Sequence, residues 1–250
     1  WILQDGRTDQ RSGPRAHGLK QRMTETNDLN SLAPSGVLRA AINTGNKALV
    51  RQDGDSLNGV SPALAQRLAD EIGARLQPVV YTGAGPVFAD AHKDVWDIAF
   101  LAIDDKRAEK IAFTRPYHTI EATYAVRSDA PYQHVGDLDQ KGVRILTSQG
   151  SAYDMHLTKT LEQATLERLG TPPDSFRAFR AGTWDAVAGV RASLAQAFGT
   201  DDNIRILPGV LTKVEQAMVL PRQGHPVLPA LDGFVARALD DGFVADQISA

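Results

Sequence analysis

Few residues of this chain are of a type and spacing that could do chemistry. Arg107 follows an apolar run, Trp96 to Ile103 (WDIAFLAI), that reads as a buried strand. A guanidinium just beyond such a strand presents a planar fork to a carboxylate, and each charge-assisted bond contributes roughly 1.5–3 kcal/mol when sheltered from water. The alternative is a surface arginine paired with Asp104, Asp105 or Glu109. Gly150-Ser151 opens a helical segment whose free N–H groups and positive dipole end make an anion site. Ser151 with Asp154 three residues on also matches a capping box, and the two readings are compatible. Asn43, Thr44, Gly45 and Asn46 end the first strand, the edge where open α/β sheets place ligands, although Asn-Gly-Asn is equally a turn signal. Glu121 shares a strand face with Thr119 and Thr123, where it would either meet a ligand amine or face solvent.

Catalysis and cofactors have less to stand on. Cysteine is absent, which excludes thiolate metal sites, cysteine nucleophiles and disulfides. The six histidines show no H-E-x-x-H or other ligand spacing, Ser151 lacks a G-x-S-x-G elbow, and there is no G-x4-G-K-S/T loop. Gly83-Ala84-Gly85 is only a weak G-x-G, with Phe88 standing where a dinucleotide loop has its third glycine. The expectation is a non-enzyme with no catalytic residue, metal or cofactor. A formal charge of -3 argues against nucleic-acid and anionic-membrane surfaces, since both need clustered Lys and Arg. No apolar run approaches the roughly 18 residues of a membrane span, so no membrane insertion is expected. A small-molecule or protein partner remains.

These residues need a scaffold. At roughly 150 residues per domain, 250 residues predict one or two domains with a self-sufficient core. Val37 to Asn43 reads as a strand, and Pro62 to Ile72 as a helix with its stripe at Leu64, Leu68 and Ile72, closed by Gly73. Leu76 to Tyr81 is a second strand, Pro86 to Lys93 a short helix, and the Trp96 run a third strand, which points to a parallel sheet. The order then recurs: strand Val143 to Ser148, helix Ser151 to Leu161, strand Ala164 to Leu169, helix Pro173 to Ala181, strand Trp184 to Val190. Phe88 precedes Trp96-Asp97 by eight residues and Phe176 precedes Trp184-Asp185 by the same eight, so two copies of one α/β unit are expected. Strands at Thr119 to Arg127, Ile204 to Leu211 and Val214 to Leu220 flank the second copy as a two-segment hinge, before helices from Val227 to Asp240 and from Phe243 onward.

The run Arg107-Ala108-Glu109-Lys110-Ile111-Ala112-Phe113-Thr114-Arg115-Pro116-Tyr117 resembles a signature of type II periplasmic solute-binding proteins of family 3: an Arg, five residues, then Phe-Ser/Thr-x-Pro-Tyr. Leu57-Asn58-Gly59-Val60 at the first helix, Gly150-Ser151, and Gly182-Thr183-Trp184-Asp185-Ala186-Val187 resemble further landmarks of that family. The resemblance covers about Leu32 to Ala250. It implies a two-lobed α/β fold in which each lobe is a mainly parallel sheet with flanking helices, joined by two hinge crossovers. Lobe 1 would comprise residues 32–122 and 212–250, and lobe 2 residues 123–211. It further implies a monomer that closes on a small carboxylate or amino-acid ligand and delivers it to an ABC permease in the periplasm. The ligand would be met by Asn43, Asn46, Ala102, Asp104, Arg107, Glu121, Gly150, Ser151 and Val190.

Departures from the pattern are informative. The family's amino-acid binders usually carry an Asp five residues after the Asp of D-A-V, which pairs with the ligand ammonium, and here that position is Val190. Ala102 stands where a Ser or Thr hydroxyl is common. A carboxylate lacking an α-amine therefore fits better, unless Glu121 or Asp104 supplies the charge. A dehydratase-like enzyme using one of these acids, or a ligand-sensing module for a protein partner, are the alternatives. Trp1 to Arg22 carries five basic and two acidic residues without apolar periodicity and reads, with the residues up to 31, as a disordered extension. It shows no secretory apolar segment, so either a signal was already removed or none existed, and a cytoplasmic location competes with the periplasmic one. Met23 is a plausible coding start.

Overall fold

Apolar runs and amphipathic stripes build two copies of one unit. In the first, β1 (Val37–Asn43) leads through a hairpin of β2 (Arg51–Asp53) and β3 (Ser56–Asn58) into α1 (Val60–Glu71), then β4 (Arg75–Tyr81), α2 (Ala84–Ala89) and β5 (Ile98–Ala102). A short helix, α3 (Asp105–Ala108), turns the chain into β6 (Ala112–Arg127), an unbroken strand of 16 residues. The second copy is β7 (Arg144–Thr147), α4 (Ala152–Thr160), β8 (Thr165–Arg168), α5 (Pro172–Ala181) and β9 (Ala186–Val190), and α6 (Arg191–Phe198) comes directly after it. The chain returns through β10 (Ile204–Ile206) and β11 (Thr212–Leu220) to α7 (Leu228–Asp240) and α8 (Phe243–Ser249). The structure is a computed structural model and describes Gly18, Glu25 and residues 28–250. The extension expected over residues 1–31 lies mostly outside the described residues.

The strands take the order β4-β1-β5-β11-β6-β9-β7-β8, with β10 on β6. β4, β1 and β5 are parallel, as are β8, β7 and β9, so each copy places its first strand between its second and third. β11 and β6 lie antiparallel between the two sets. Over Ala112–Ala122 β6 pairs with β11, and over Ala122–Val126 with β9, so one strand belongs to both halves. This is the two-lobed α/β architecture with paired crossovers that the sequence implies. β5 and β9 are buried at every residue, as central strands covered on both faces must be. Behind β5, Trp96 packs with Val87 and Leu101. Behind β9, Phe176, Phe179 and Phe198 form the matching cluster.

The repeat rests on one exchange made twice. The Asp97 carboxylate accepts the Arg39 N–H at 2.7 Å while the Asp97 N–H donates to the Arg39 carbonyl at 2.9 Å. Asp185 does the same with Arg144, at 2.8 and 2.9 Å. Each Trp-Asp pair thereby locks the third strand of its unit to the first. It also sets where the strand starts: within the mostly apolar Trp96 run, Asp97 turns its side chain to Arg39, and the ladder begins only at Ile98. Four features were not expected, one of them a 3-10 turn at Val135–Leu138. The β2–β3 hairpin is made of short, largely exposed strands, α3 spans four polar or small residues, and α6 starts directly where β9 ends.

Asp97→Ala should lower stability by about 1–3 kcal/mol, since it strips an acceptor from the partly buried Arg39. A fall in Tm of several degrees by calorimetry is the expected reading. Asp185→Ala should do the same in the second half.

Candidate functional site

The segments that leave the C-terminal ends of β1 and β7 line a cavity of about 50 Å³ between the halves. The loop after β1 contributes Asn43, Gly45 and Asn46, and the N-terminus of α4 contributes Ser151, Ala152 and Tyr153. Ala102 and Val190, the last residues of β5 and β9, stand in equivalent places of the two copies. Ile120, Val214 and Gln216 come from the crossovers.

Arg107 reaches this cavity although it is only 1% exposed. Asp104 caps α3 by accepting the N–H groups of Lys106 and Arg107 at 2.9 and 3.3 Å, which fixes the turn from which the guanidinium folds inward. Nη1 then donates to the Ala102 carbonyl at 3.0 Å and Nη2 to the Gly150 carbonyl, across the seam, at 2.7 Å. No acidic side chain among the described residues lies within ion-pair distance of it. Burial pushes the guanidinium down to about 10, a shift that Asp104 only partly opposes. It is the one charged side chain among the described residues lining the cavity.

Opposite it, Ser151 Oγ caps α4 by accepting the Asp154 N–H at 3.1 Å. The Asp154 carboxylate reaches back to the Gly150 N–H at 2.9 Å and is itself held by Arg168 at 2.8 Å. The reciprocal bond expected from the capping box thus lands one residue earlier, and the first amides of α4 remain turned toward the cavity end.

The halves are in contact along a seam. Ser193 Oγ donates to the Gly45 carbonyl at 2.9 Å and accepts the Lys47 N–H at 3.0 Å. Lys159 of the second half stands 3.4 Å from Asp104 of the first. Gly85 and Gly150 meet backbone to backbone: a Cβ on Gly85 would lie 2.6 Å from the Gln149 carbonyl, and one on Gly150 3.0 Å from the Gly85 Cα. Gly150 also holds φ at +72°, where side chains are strained.

Of the residues singled out from the sequence, Asn43, Asn46, Ala102, Arg107, Ser151 and Val190 line the cavity. Gly150 borders it through the carbonyl that takes Arg107. Asp104 and Glu121 do not line it. Asp104 is consumed by its capping role and Lys159, while Glu121 is 42% exposed and faces Arg191 at 3.5 Å. Neither acid is brought to the cavity wall beside Val190. Sequence reasoning passed over Ser193 and Gln216, polar residues in otherwise apolar stretches, and that contrast was the signal available.

Residues 38–246 match the family model of bacterial extracellular solute-binding proteins, family 3. The chain belongs to that family. No curated protein matches it in sequence. Among solved structures, this family 3 protein is similar to the cysteine-binding protein of Campylobacter jejuni, with a TM-score of 0.76, 19% identity, and 88% of this chain and 91% of that chain covered. It is similar to an amino acid ABC transporter substrate-binding protein of Streptococcus pneumoniae bound to L-arginine, with a TM-score of 0.75, 19% identity, and 89% and 96% covered. An ancestral amino acid-binding protein described as a precursor of cyclohexadienyl dehydratase gives a TM-score of 0.74 at 20% identity over 88% and 96%. At such identities the likeness is one of fold.

In this family 3 fold Ser193 ties the second lobe to the loop after β1. Ser193→Ala removes two bonds worth about 1 kcal/mol each, and small-angle X-ray scattering should show a larger mean radius of gyration. An unchanged curve would mean that Ser193 does not hold the lobes together.

Proposed function

We propose that this protein captures a small carboxylate without an α-ammonium between its lobes and delivers it to an ABC-type importer in the periplasm. Lobe 1 would comprise residues 32–122 and 212–250, and lobe 2 residues 123–211. The observation that carries the reading is Arg107, a guanidinium withdrawn from water whose only acceptors among the described residues are two carbonyl oxygens, one on each side of the seam. A cation in that setting has no ion-pair partner among the described residues and only partial compensation from Asp104, and a carboxylate supplies the partner with paired, charge-assisted bonds. The α4 amides add a second, weaker anion attraction. The solved proteins it resembles are described as binding arginine or cysteine, but no acid among the described residues lines this cavity to meet an ammonium. The same absence weighs against a dehydratase-like enzyme built on Asp104 or Glu121.

The cavity of about 50 Å³ is well below the roughly 150 Å³ that takes a benzene. A solute therefore enters by parting the lobes, and its gain comes from contacts made with both.

At 100 times its dissociation constant such a solute adds about 2.7 kcal/mol of stability, a rise in Tm of about 5–10 °C. Arg107→Ala should abolish that rise while leaving a cooperative fold, and a retained shift would show that the carboxylate sits elsewhere. Because burial lowers the arginine to about 10, the charged group costs stability at every pH below that value, and the cost fades above it as the proton leaves. A bound carboxylate raises the value again. Affinity should therefore be flat over roughly pH 6–9 and fall above about pH 10, by up to tenfold per unit. Calorimetric titrations across that range test the slope.

Val190 gives the sharpest comparison. An ammonium beside it would be desolvated without a counter-charge, a loss of several kcal/mol. Valine should bind much more weakly than 2-hydroxyisovalerate, and Val190→Asp should reverse the order. Tighter binding of valine by the unmodified protein would overturn the amine-free reading.

A further inference from the structure

We propose that Gln216 selects among carboxylates by reading a neutral hydrogen-bonding substituent, such as a hydroxyl or keto oxygen, on the monocarboxylate that Arg107 holds. The inference rests on the reading of the cavity as a carboxylate site. Gln216 pairs across the sheet with Ala102, the residue whose carbonyl positions Arg107, so its side chain enters the cavity beside the clamp. It is only 3% exposed, and no described residue hydrogen-bonds its amide. The other amides of the lining are engaged at one end: Asn43 Oδ1 accepts the Gly45 N–H at 3.0 Å and Asn46 Oδ1 the Ala48 N–H at 3.3 Å. Ser61 and Ser193 are likewise taken, by Tyr117 and by the loop after β1. An amide that lines the cavity with neither end taken by a described residue is free to pair with a group from outside the protein.

The backbone is built to aim it. The β6–β11 ladder slips on both sides of Ala217, which stands opposite Pro116. Proline has no N–H to give the ladder. The irregularity leaves the Met218 N–H without a strand partner, and Thr114 Oγ1 accepts it at 3.1 Å. Thr114 and Pro116 of the Phe-Thr-x-Pro-Tyr run thus sustain a bulge at the point where Gln216 enters the cavity, the use to which bulges beside binding sites are put. Of its crossover neighbours, Val214 and Ile120 line the cavity and are apolar, while His118, paired with Gln216 across the ladder, does not line it, so polarity at this point of the floor comes from Gln216. The amide donates through Nε2 and accepts through Oε1, which suits a hydroxyl in either sense and a keto oxygen in one. With Arg107 as the one cation of the lining among the described residues, the class is a monocarboxylate bearing such a group.

Three matched pairs test this by calorimetry: propionate and lactate, isovalerate and 2-hydroxyisovalerate, phenylpropionate and phenyllactate. In the best-binding pair the hydroxy acid should be about tenfold tighter, the value of one sheltered hydrogen bond. Gln216→Leu, close in volume, should erase that difference while still binding the plain acid. Equal affinities within every pair would overturn the inference while leaving the carboxylate reading intact, and that comparison needs no variant to fold. A hydroxyl preference that survives in Gln216→Leu would overturn it too. If no acid binds, the carboxylate reading falls and this inference with it.

Discussion

A guanidinium kept from water, with carbonyl oxygens as its only hydrogen-bond acceptors among the described residues, is the constraint around which this molecule is arranged. The charge is costly to bury, and folding places it there only because several elements hold it from different directions. Asp104 spends its carboxylate on the helix cap that turns Arg107 inward, and its charge only partly offsets the cost of burying the guanidinium. The end of β5 supplies one carbonyl and the start of the second lobe the other. Because the second acceptor lies on Gly150, the position of the charge and the approach of the lobes are a single degree of freedom. Opening the seam deprives Arg107 of half its acceptors and returns it to water.

The two crossovers make that motion possible without dismantling the core. β6 is shared by both halves, pairing first with β11 and then with β9, so lobe movement has to be absorbed within these strands. The register slips around Ala217 lie on this path. The Phe-Thr-x-Pro-Tyr run therefore has work at both ends: Thr114 and Pro116 maintain the slip, while Tyr117 is buried against Phe100 and hydrogen-bonds Ser61 at 3.0 Å, seating β6 on the first lobe.

Much of the fold was legible in the chain because its signals are local. β5 and β9 are apolar runs, α1 carries a regular stripe, α4 and α5 begin at Ser151 and Thr171 with acidic residues three further on, and the two Trp-Asp pairs mark equivalent strands. What escaped is short or continuous with a neighbour: α6 succeeds β9 with no turn residue between, and α3 is one turn long. The site was legible where one strand end or one helix start contributes to it, as with Asn43, Arg107 and Ser151. It was not legible where partners come from far along the chain. Nothing near Ser193 announces Gly45, 148 residues away, and nothing near Glu121 reveals that Arg191 stands before it.

The contact between Gly85 and Gly150 bears on how the proposed solute would be measured for size. Two main chains touch there with no layer of side chains between them, so at this point the seam has no compressible cushion. Under the proposed reading, a solute one carbon too long would not be met by a slightly looser version of the same embrace. It would prop the frame ajar, and the misfit would be felt along the seam, from the bond that Arg107 makes to the bond that Ser193 makes. Discrimination by length would then be made by the backbone, which need not touch the part of the solute being judged.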